Sequence, residues 1–258
     1  MIRSALAGLV GYASRYVPRP ADQSWKRTNF EGKTVSLGGG VSVAGGAVLV
    51  SLVTSGRVGA AGVIAGTSGA VAGYLDDHRE SVFESGKGLK GHLSQLREGH
   101  LTTGVLKIGI IGAGAGASAA VLGSKSIPDW VVRSVAIAGT ANLINLLDLR
   151  PGRALKATLA GTVLVAPGNR ALPLLAGVAG AAAGALEEDL AGEAMLGDLG
   201  ANAIGAVLGV AAASHPSRLV RLGVATGAVG LILASEKVSF SRVIDENPVL
   251  SAVDRWGR

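Results

Sequence analysis

Two adjacent carboxylates, Asp76 and Asp77, follow a long apolar run of the sequence and precede His78 and Arg79. Adjacent carboxylates repel each other, so both stay ionised only where a cation or abundant water stabilises them. Beside phosphates, such a pair is typical of a Mg²⁺ site, because Mg²⁺ prefers carboxylate and phosphate oxygens. The alternative is a solvated helix end without a chemical role. Both residues are candidate catalytic residues, and Asp77 is also a candidate metal ligand.

A second polar pattern places two amides and a carboxylate three residues apart, at Asn142, Asn145 and Asp148. This spacing puts the two amides on nearly the same face of a helix, with the carboxylate following on that side. Amides in an apolar segment need partners, so they either bind a neighbouring helix or contact a polar ligand such as a base or ribose. Asp148 is a candidate catalytic residue. Asn142 and Asn145 are candidate substrate-binding residues, as are the two cations that follow, Arg150 and Arg153.

Two further clusters border apolar runs. Asp198 begins one of these runs within a Gly-Asp-Leu-Gly sequence, where an aspartate is normally a helix cap. Lys33 and Ser36 belong to a basic, hydroxyl-rich stretch that leads into three glycines. The N–H groups at a helix start bind phosphate, so these two residues are candidate substrate-binding residues unless the stretch is only a positive loop. Together the clusters favour a metal-assisted reaction on a phosphorylated substrate.

Apolar helices are the elements that would position these residues. Of the 258 residues, 48% are hydrophobic, 40 are glycine and only 16% are charged. This composition excludes a disordered chain, and the absence of cysteine excludes a disulfide scaffold and thiolate sites. A spanning helix needs about 20 mainly apolar residues. We therefore predict an all-α, polytopic integral membrane bundle of about nine transmembrane helices, forming a single domain over residues 1–258. The predicted spans cover residues 2–17, 37–54, 58–75, 108–123, 130–147, 157–166, 171–186, 199–214 and 222–235.

The acidic residues are sorted to one side of this predicted bundle. If the spans alternate, all but Asp129 of the 18 acidic residues fall on one face, and most Lys and Arg residues fall there too. The basic bias indicates that this face is cytoplasmic, in a multi-pass protein of the cell membrane. The net charge of +6 then follows from topology, and no nucleic acid is expected as a partner.

Two cytoplasmic segments connect or follow the predicted spans. The segment 76–103 is predicted as a loop with a short amphipathic helix, because Leu89, Leu93 and Leu96 repeat at helical spacing. That helix either lies on the membrane surface or packs on the bundle. The segment 236–258 is predicted as a cytoplasmic C-terminal tail.

The order of the motifs resembles that of the polyprenyl-phosphate phosphosugar transferase family, which is glycosyltransferase family 4. This family includes phospho-N-acetylmuramoyl-pentapeptide translocase and undecaprenyl-phosphate N-acetylglucosamine-1-phosphate transferases. The likeness runs from about residue 26 to residue 202, and it adds the segments 34–39 and 86–91 to the motifs above. The sequence departs from the family in three places: Pro151 stands where a second aspartate often follows Asp148, residues 236–258 contain no histidine, and the tenth span is missing.

The resemblance implies a Mg²⁺-dependent enzyme that moves a sugar-1-phosphate from a UDP-sugar to a polyprenyl phosphate and releases UMP, in cell-envelope polysaccharide or peptidoglycan biosynthesis. It implies that Asp198 binds Mg²⁺ and that Asp76 or Asp77 acts at the lipid phosphate. By the same resemblance, Lys90 and Lys33 contact phosphates, which makes Lys90 a candidate catalytic residue. The resemblance also implies that Asn142, Asn145 and Asp148 hold the nucleotide end of the UDP-sugar. The sequence is compatible with a homodimer and does not reveal the oligomeric state.

Two other functions are compatible with the sequence. One is a non-catalytic membrane protein that binds a polyprenyl phosphate or acts as a scaffold for cell-envelope enzymes. The missing histidines and tenth span favour it, and it predicts folding without UMP release. The other is a small transporter, which would carry polar residues at mid-membrane, whereas the polar clusters here lie at the ends of the predicted spans.

Overall fold

The protein is described by a computed structural model, which covers residues 1–20, 22–28, 32–79 and 102–258. Almost all regular structure in these residues is α-helical. In chain order the helices are α1 Ile2–Ala13, α2 Gly38–Val53, α3 Gly56–Arg79, α4 Thr103–Val121, α5 Ile127–Leu147, α6 Arg153–Val165, α7 Leu172–Leu190, α8 Gly197–Ala213, α9 Arg218–Ser235, α10 Phe240–Glu246 and α11 Pro248–Arg255. The 3₁₀ turns Ser14–Tyr16 and Gln23–Trp25 complete the helical elements.

A short antiparallel hairpin precedes α2. Its strands are β1 Lys26–Thr28 and β2 Thr34–Ser36, and Arg27 pairs with Val35 at the centre of the register. Beyond the hairpin, Ser36 exchanges backbone hydrogen bonds with Glu193 and Met195, between α7 and α8. The hairpin is thereby attached to the segment that leads into α8.

Helix α8 is the centre of the bundle. All of its residues except Asp198 are buried, as expected for a helix that is apolar on every side. It packs mainly against α3 and α5, and also contacts α2, α6 and α7. Small residues make these contacts close, since a Cβ at Gly205 would come within 3 Å of the α5 backbone.

Within the described residues, four helices are long and apolar enough to cross a membrane, namely Gly56–His78 within α3, α4, α5 and α9. The apolar segments of the sequence all coincide with helices, but α1, α2, α6 and α8 are shorter than 18 residues. At a rise of 1.5 Å per residue, the 13 residues of α6 extend about 20 Å, against about 30 Å of bilayer core. The structure therefore shows an all-α protein with four long apolar candidate spans, and it does not confirm a bundle of nine.

The segment 76–103 differs in part from the prediction. Residues 76–79 form the last turn of α3, so Asp76 and Asp77 lie in a helix rather than in a loop. The predicted amphipathic helix and Lys90 lie outside the described residues. The predicted tail at 236–258 contains α10 and α11, and it is attached to the rest of the protein by the ion pairs described below.

Candidate functional site

The polar side chains of four helices meet at one end of α8. Asp76 and Asp77 come from the last turns of α3, and Asp198 comes from the first turn of α8. The approach of α3 depends on Gly73, because a Cβ there would overlap the backbone of Asp198 and Leu199. Lys107, in the first turns of α4, and Asn145, near the end of α5, reach the same place.

Lys107 connects two of the predicted carboxylates. Its Nζ donates to Oδ2 of Asp76 at 3.0 Å and also to Oδ2 of Asp198, and the lysine side chain is only 11% exposed. In the amide orientation that satisfies both neighbours, Asn145 donates to Oδ1 of Asp198 at 2.9 Å and accepts from Lys107 Nζ at 2.9 Å. These four residues form the carboxylate–lysine cluster.

Asp77 has a different position from Asp76. Its Oδ1 accepts from the backbone N–H of Asp198 at 3.2 Å, and its Oδ2 accepts from that of Leu199 at 3.0 Å. Gly197, with a φ of +57°, makes the turn that points these N–H groups at the carboxylate. Asp77 therefore caps α8 from the neighbouring helix and fixes the direction of Asp198.

Asp148 lies on the other side of the α8 N-terminus. Its Oδ2 is buried and has no hydrogen-bond partner in the part of the chain that the structure describes. Burial raises the pKa of Asp148 well above its ordinary value, and the negative charges of Asp189, Asp198 and Asp77 raise it further. A backbone hydrogen bond from Gly197 offsets only part of this effect. The four predicted aspartates thus surround one helix end.

Asp189, which the sequence analysis does not single out, is buried near Asp148. Its Oδ2 accepts from the backbone N–H of Gly152, at the start of α6. Burial raises the pKa of Asp189 to about 6, although this hydrogen bond and the positive charges of Arg258 and Lys156 act against it. Asp148 and Asp189 line a second cavity of about 240 Å³ under the hairpin.

A larger cavity begins at the carboxylate–lysine cluster. It has a volume of about 480 Å³ and lies between α4, α5 and α9. At one end it is lined by polar side chains: Asp76, Lys107, Asn142, Asn145 and Glu236. Farther along, its walls are apolar and include Ile108, Ile111, Val135, Val229 and Ile232. We call this cavity the apolar groove. From Leu146 to Val135 it follows α5 for about 16 Å.

The structure places the remaining predicted substrate-binding residues outside this cluster. Lys33 donates to the carbonyl oxygen of Ala191 at 3.1 Å on the exposed side of the hairpin. Ser36 accepts from the N–H of Gly38 at 3.0 Å, which starts the turn into α2. Neither side chain lines the apolar groove.

The two predicted arginines bind the C-terminal segment instead of facing the groove. Arg150 makes a two-pronged ion pair with Asp245 at 3.0 and 2.8 Å. Arg153 pairs with Asp254 at 2.8 Å, and the two side chains are only 5% and 4% exposed. Their role in the structure is to attach α10 and α11, since the paired carboxylates lie on or beside those helices.

The described residues contain no group of three or more histidine, cysteine, aspartate or glutamate side chains arranged to hold a metal ion. Asp77 fits a metal poorly, because both of its oxygens already accept backbone hydrogen bonds. Asp76 and Asp198 fit better, since a Mg²⁺ site commonly uses one or two carboxylates and completes its coordination with water and substrate phosphates. Lys107 lies between them, so a cation at this position would have to share the carboxylates with the ammonium group.

Lys107 is the residue of the cluster that sequence reasoning missed. The signal was present, because this lysine is the only charged residue between Thr102 and Lys125. An ionisable side chain inside an otherwise apolar helix is a functional candidate by default. The family resemblance pointed instead to a lysine in the preceding loop. Comparison of the chain with protein-family models and with curated proteins finds no match.

Proposed function

We propose that this protein is a membrane phosphosugar transferase that moves a sugar-1-phosphate from a UDP-sugar to a polyprenyl phosphate. The observation that carries the proposal is the apolar groove, which joins a long apolar wall to a charged end. A substrate with matching chemistry is an isoprenoid chain with a phosphate at its head. The volume of about 480 Å³ holds the phosphate and the first part of the chain, while the rest would lie in the lipid.

The chemistry proposed for the charged end is a phosphoryl transfer. An oxygen of the lipid phosphate attacks the β-phosphorus of the UDP-sugar, the bond from that phosphorus to the oxygen bridging the two phosphates breaks, and UMP leaves. Because the lipid phosphate is already a nucleophile, the protein mainly has to position two anions and neutralise their charge. Lys107 supports this role, since it is the cation at the groove's charged end.

Mg²⁺ would supply further charge neutralisation at the diphosphate. Asp198 and Asp76 are the residues proposed to hold it, with Asn145 orienting Asp198. Asn142 and Asn145 of α5, which line the polar end of the apolar groove, are proposed to contact the polar part of a substrate. Asp77 acts as a positioning residue, because it caps α8 and contacts neither cavity wall.

The proposed setting is a multi-pass bundle in the cell membrane with this site on the cytoplasmic face. The four long apolar helices support a membrane location. The shorter apolar helices would complete about nine crossings, with α8 shielded from lipid by its neighbours. The charged residues of α10 and α11 would then lie in the cytoplasm beside the loop at 148–152.

The alternative is a protein that binds a polyprenyl phosphate in the same groove without catalysis. The contact of Lys107 with both Asp76 and Asp198 favours it, because those carboxylates then already share a cation. Both functions predict binding of the lipid phosphate, and only the transferase predicts turnover.

The experiment uses purified full-length protein with undecaprenyl phosphate and a panel of UDP-sugars, and it measures Mg²⁺-dependent release of UMP. We expect release with at least one donor, and loss of release in Asp198→Asn. Release that is unchanged in both Asp76→Asn and Asp198→Asn would contradict the site. Lipid binding without release from any donor would favour the non-catalytic alternative.

A further inference from the structure

A third cavity, which is also charged, lies at the opposite end of the bundle from the carboxylate–lysine cluster. It has a volume of about 470 Å³ and is found where α5 and α9 begin and α8 ends. Four cations line it, namely Lys125, Arg133, Arg218 and Arg221, together with a single carboxylate, Asp129. We call it the basic cavity. Nothing in the proposed function uses it.

The two inner arginines of the basic cavity are held in fixed positions. Arg133 Nε donates to Asp129 at 2.9 Å, and its Nη1 donates to the carbonyl oxygen of Ala213 at 2.8 Å. Arg221 donates to Asp129 at 3.2 Å and to the carbonyl oxygen of His215 at 2.6 Å. Fixed guanidinium groups lose little conformational entropy when they bind an anion.

One donor at the cavity remains unused within the described residues. The Nε–H of Arg221 is buried and has no acceptor. A buried donor without an acceptor costs about 1–3 kcal/mol, so the guanidinium of Arg221, which lines the cavity, keeps the capacity for one more acceptor.

Two helix N-termini add to the positive potential of this cavity. Ser126, the N-cap of α5, lines it, and so does Arg218, the first residue of α9. Each helix start carries roughly half a positive charge. Asp129 is the single acidic residue of the sequence on this side of the predicted bundle, so few carboxylates oppose the cations there.

We propose that the basic cavity binds a phosphate group. Two sources share this chemistry, a phospholipid headgroup at the membrane surface and free inorganic phosphate. Guanidinium donors and helix N-termini both suit phosphate oxygens, and the volume leaves room for a group attached to the phosphate. Asp129 balances only one of the four positive charges and holds two of the cations in place.

The test uses lipid-depleted full-length protein in detergent, with inorganic phosphate as the titrant in isothermal calorimetry. The variant Lys125→Gln/Arg218→Gln removes two exposed cations of the cavity rim and leaves the inner ion pairs intact. Arg3→Gln/Arg170→Gln is the matched control, because it removes two exposed cations elsewhere. We expect saturable binding that weakens by about tenfold in the first variant and stays unchanged in the control.

Competition with dihexanoyl phosphatidylglycerol then distinguishes the two sources. Displacement of phosphate by this short lipid identifies a headgroup site, and binding of phosphate without displacement identifies a site for the free anion. The proposal is overturned if neither compound binds saturably, or if the two double variants weaken binding equally.

Discussion

At the scale of single residues, one ammonium group holds the carboxylates of the candidate site together. Lys107 on α4 donates to Asp76 on α3 and to Asp198 on α8. Asn145 on α5 contacts both Lys107 and Asp198. Without this cation, the two carboxylates would face each other in a partly buried position. The same side chain serves the fold and, in the proposed reaction, the substrate charge.

Replacing Lys107 with glutamine is expected to abolish most of the transfer activity. The variant removes the cation that would neutralise the diphosphate, so we expect UMP release to fall by about 100-fold or more. The melting temperature should also fall, because Asp76 and Asp198 would repel each other. Lys237→Gln, which alters an exposed lysine, is the matched control and should change neither quantity. Full turnover in the Lys107 variant would exclude this lysine from the reaction.

Asp189 gives a prediction of pH dependence at the same scale. Its pKa is raised from 3.8 to about 6 in the folded protein, so the folded state holds the proton more tightly than the unfolded state. The contribution of Asp189 to folding stability is therefore most favourable at low pH, falls as the pH rises from about 4 to about 6, and is level above that. Asp189→Asn removes this loss and keeps an acceptor for Gly152.

We expect the Asn variant to be more stable than the native protein at pH 7.5 by up to about 3 kcal/mol, with a smaller difference at pH 4.5. Denaturant unfolding at several pH values measures this difference. Glu193→Gln, which alters an exposed residue in the following segment, should leave the pH dependence of folding stability unchanged. A stability difference that does not vary with pH would contradict the raised pKa.

At the scale of elements, the candidate site exists because helix ends converge. The C-terminal ends of α3 and α5 meet the N-terminal end of α8, and glycine permits the close contact between α3 and α8. Packing at such contacts leaves little free volume, so even one added methyl group forces neighbouring atoms to move and lowers stability.

Gly73→Ala is expected to displace the end of α3. The added methyl group would overlap the backbone of α8 beside Asp198, so we expect a loss of about 1–3 kcal/mol of stability and a clear fall in UMP release. Gly112→Ala is the control, since a Cβ there meets open space on the exposed side of α4. It should be neutral or stabilising by up to about 1 kcal/mol. Equal effects of the two changes would show that the contact at Gly73 does not position the site.

The sequence predicts where the helices lie better than what each polar residue contacts. Apolar runs and their charged ends place the helices α1 to α9 to within about five residues, because burial requires apolar length. The partners of Arg150 and Arg153 could not be predicted, since Asp245 and Asp254 lie about 100 residues away along the chain. Asp77 and Asp76 are adjacent and alike in sequence, and only the turn at Gly197 decides which of them caps α8.

At the scale of the whole molecule, the charges divide into two separate ends. The carboxylate–lysine cluster and the bound C-terminal helices occupy one end of α8, and the basic cavity occupies the other. Between them lie the four long apolar helices. This division, with apolar helices between two charged ends, is compatible with a membrane protein.

The orientation can be tested by cysteine labelling, because the native chain contains no cysteine. Ser55→Cys lies in the exposed turn between α2 and α3, and Lys237→Cys follows the end of α9. In intact cells, a membrane-impermeant maleimide should label only the first variant, and permeabilisation should make both accessible. Labelling of both variants, or of Lys237→Cys alone, in intact cells would contradict the proposed topology.

The central claim is that the groove and the carboxylate–lysine cluster together transfer a sugar phosphate to a lipid. The most direct measurement follows the ³²P label of a UDP-sugar labelled at its β-phosphate, with full-length protein, undecaprenyl phosphate and Mg²⁺. The account predicts that the label moves into the lipid extract in a one-to-one ratio with released UMP, and that Asp198→Asn stops both. UMP release without labelled lipid, or labelled lipid that persists undiminished in Asp198→Asn, would contradict it.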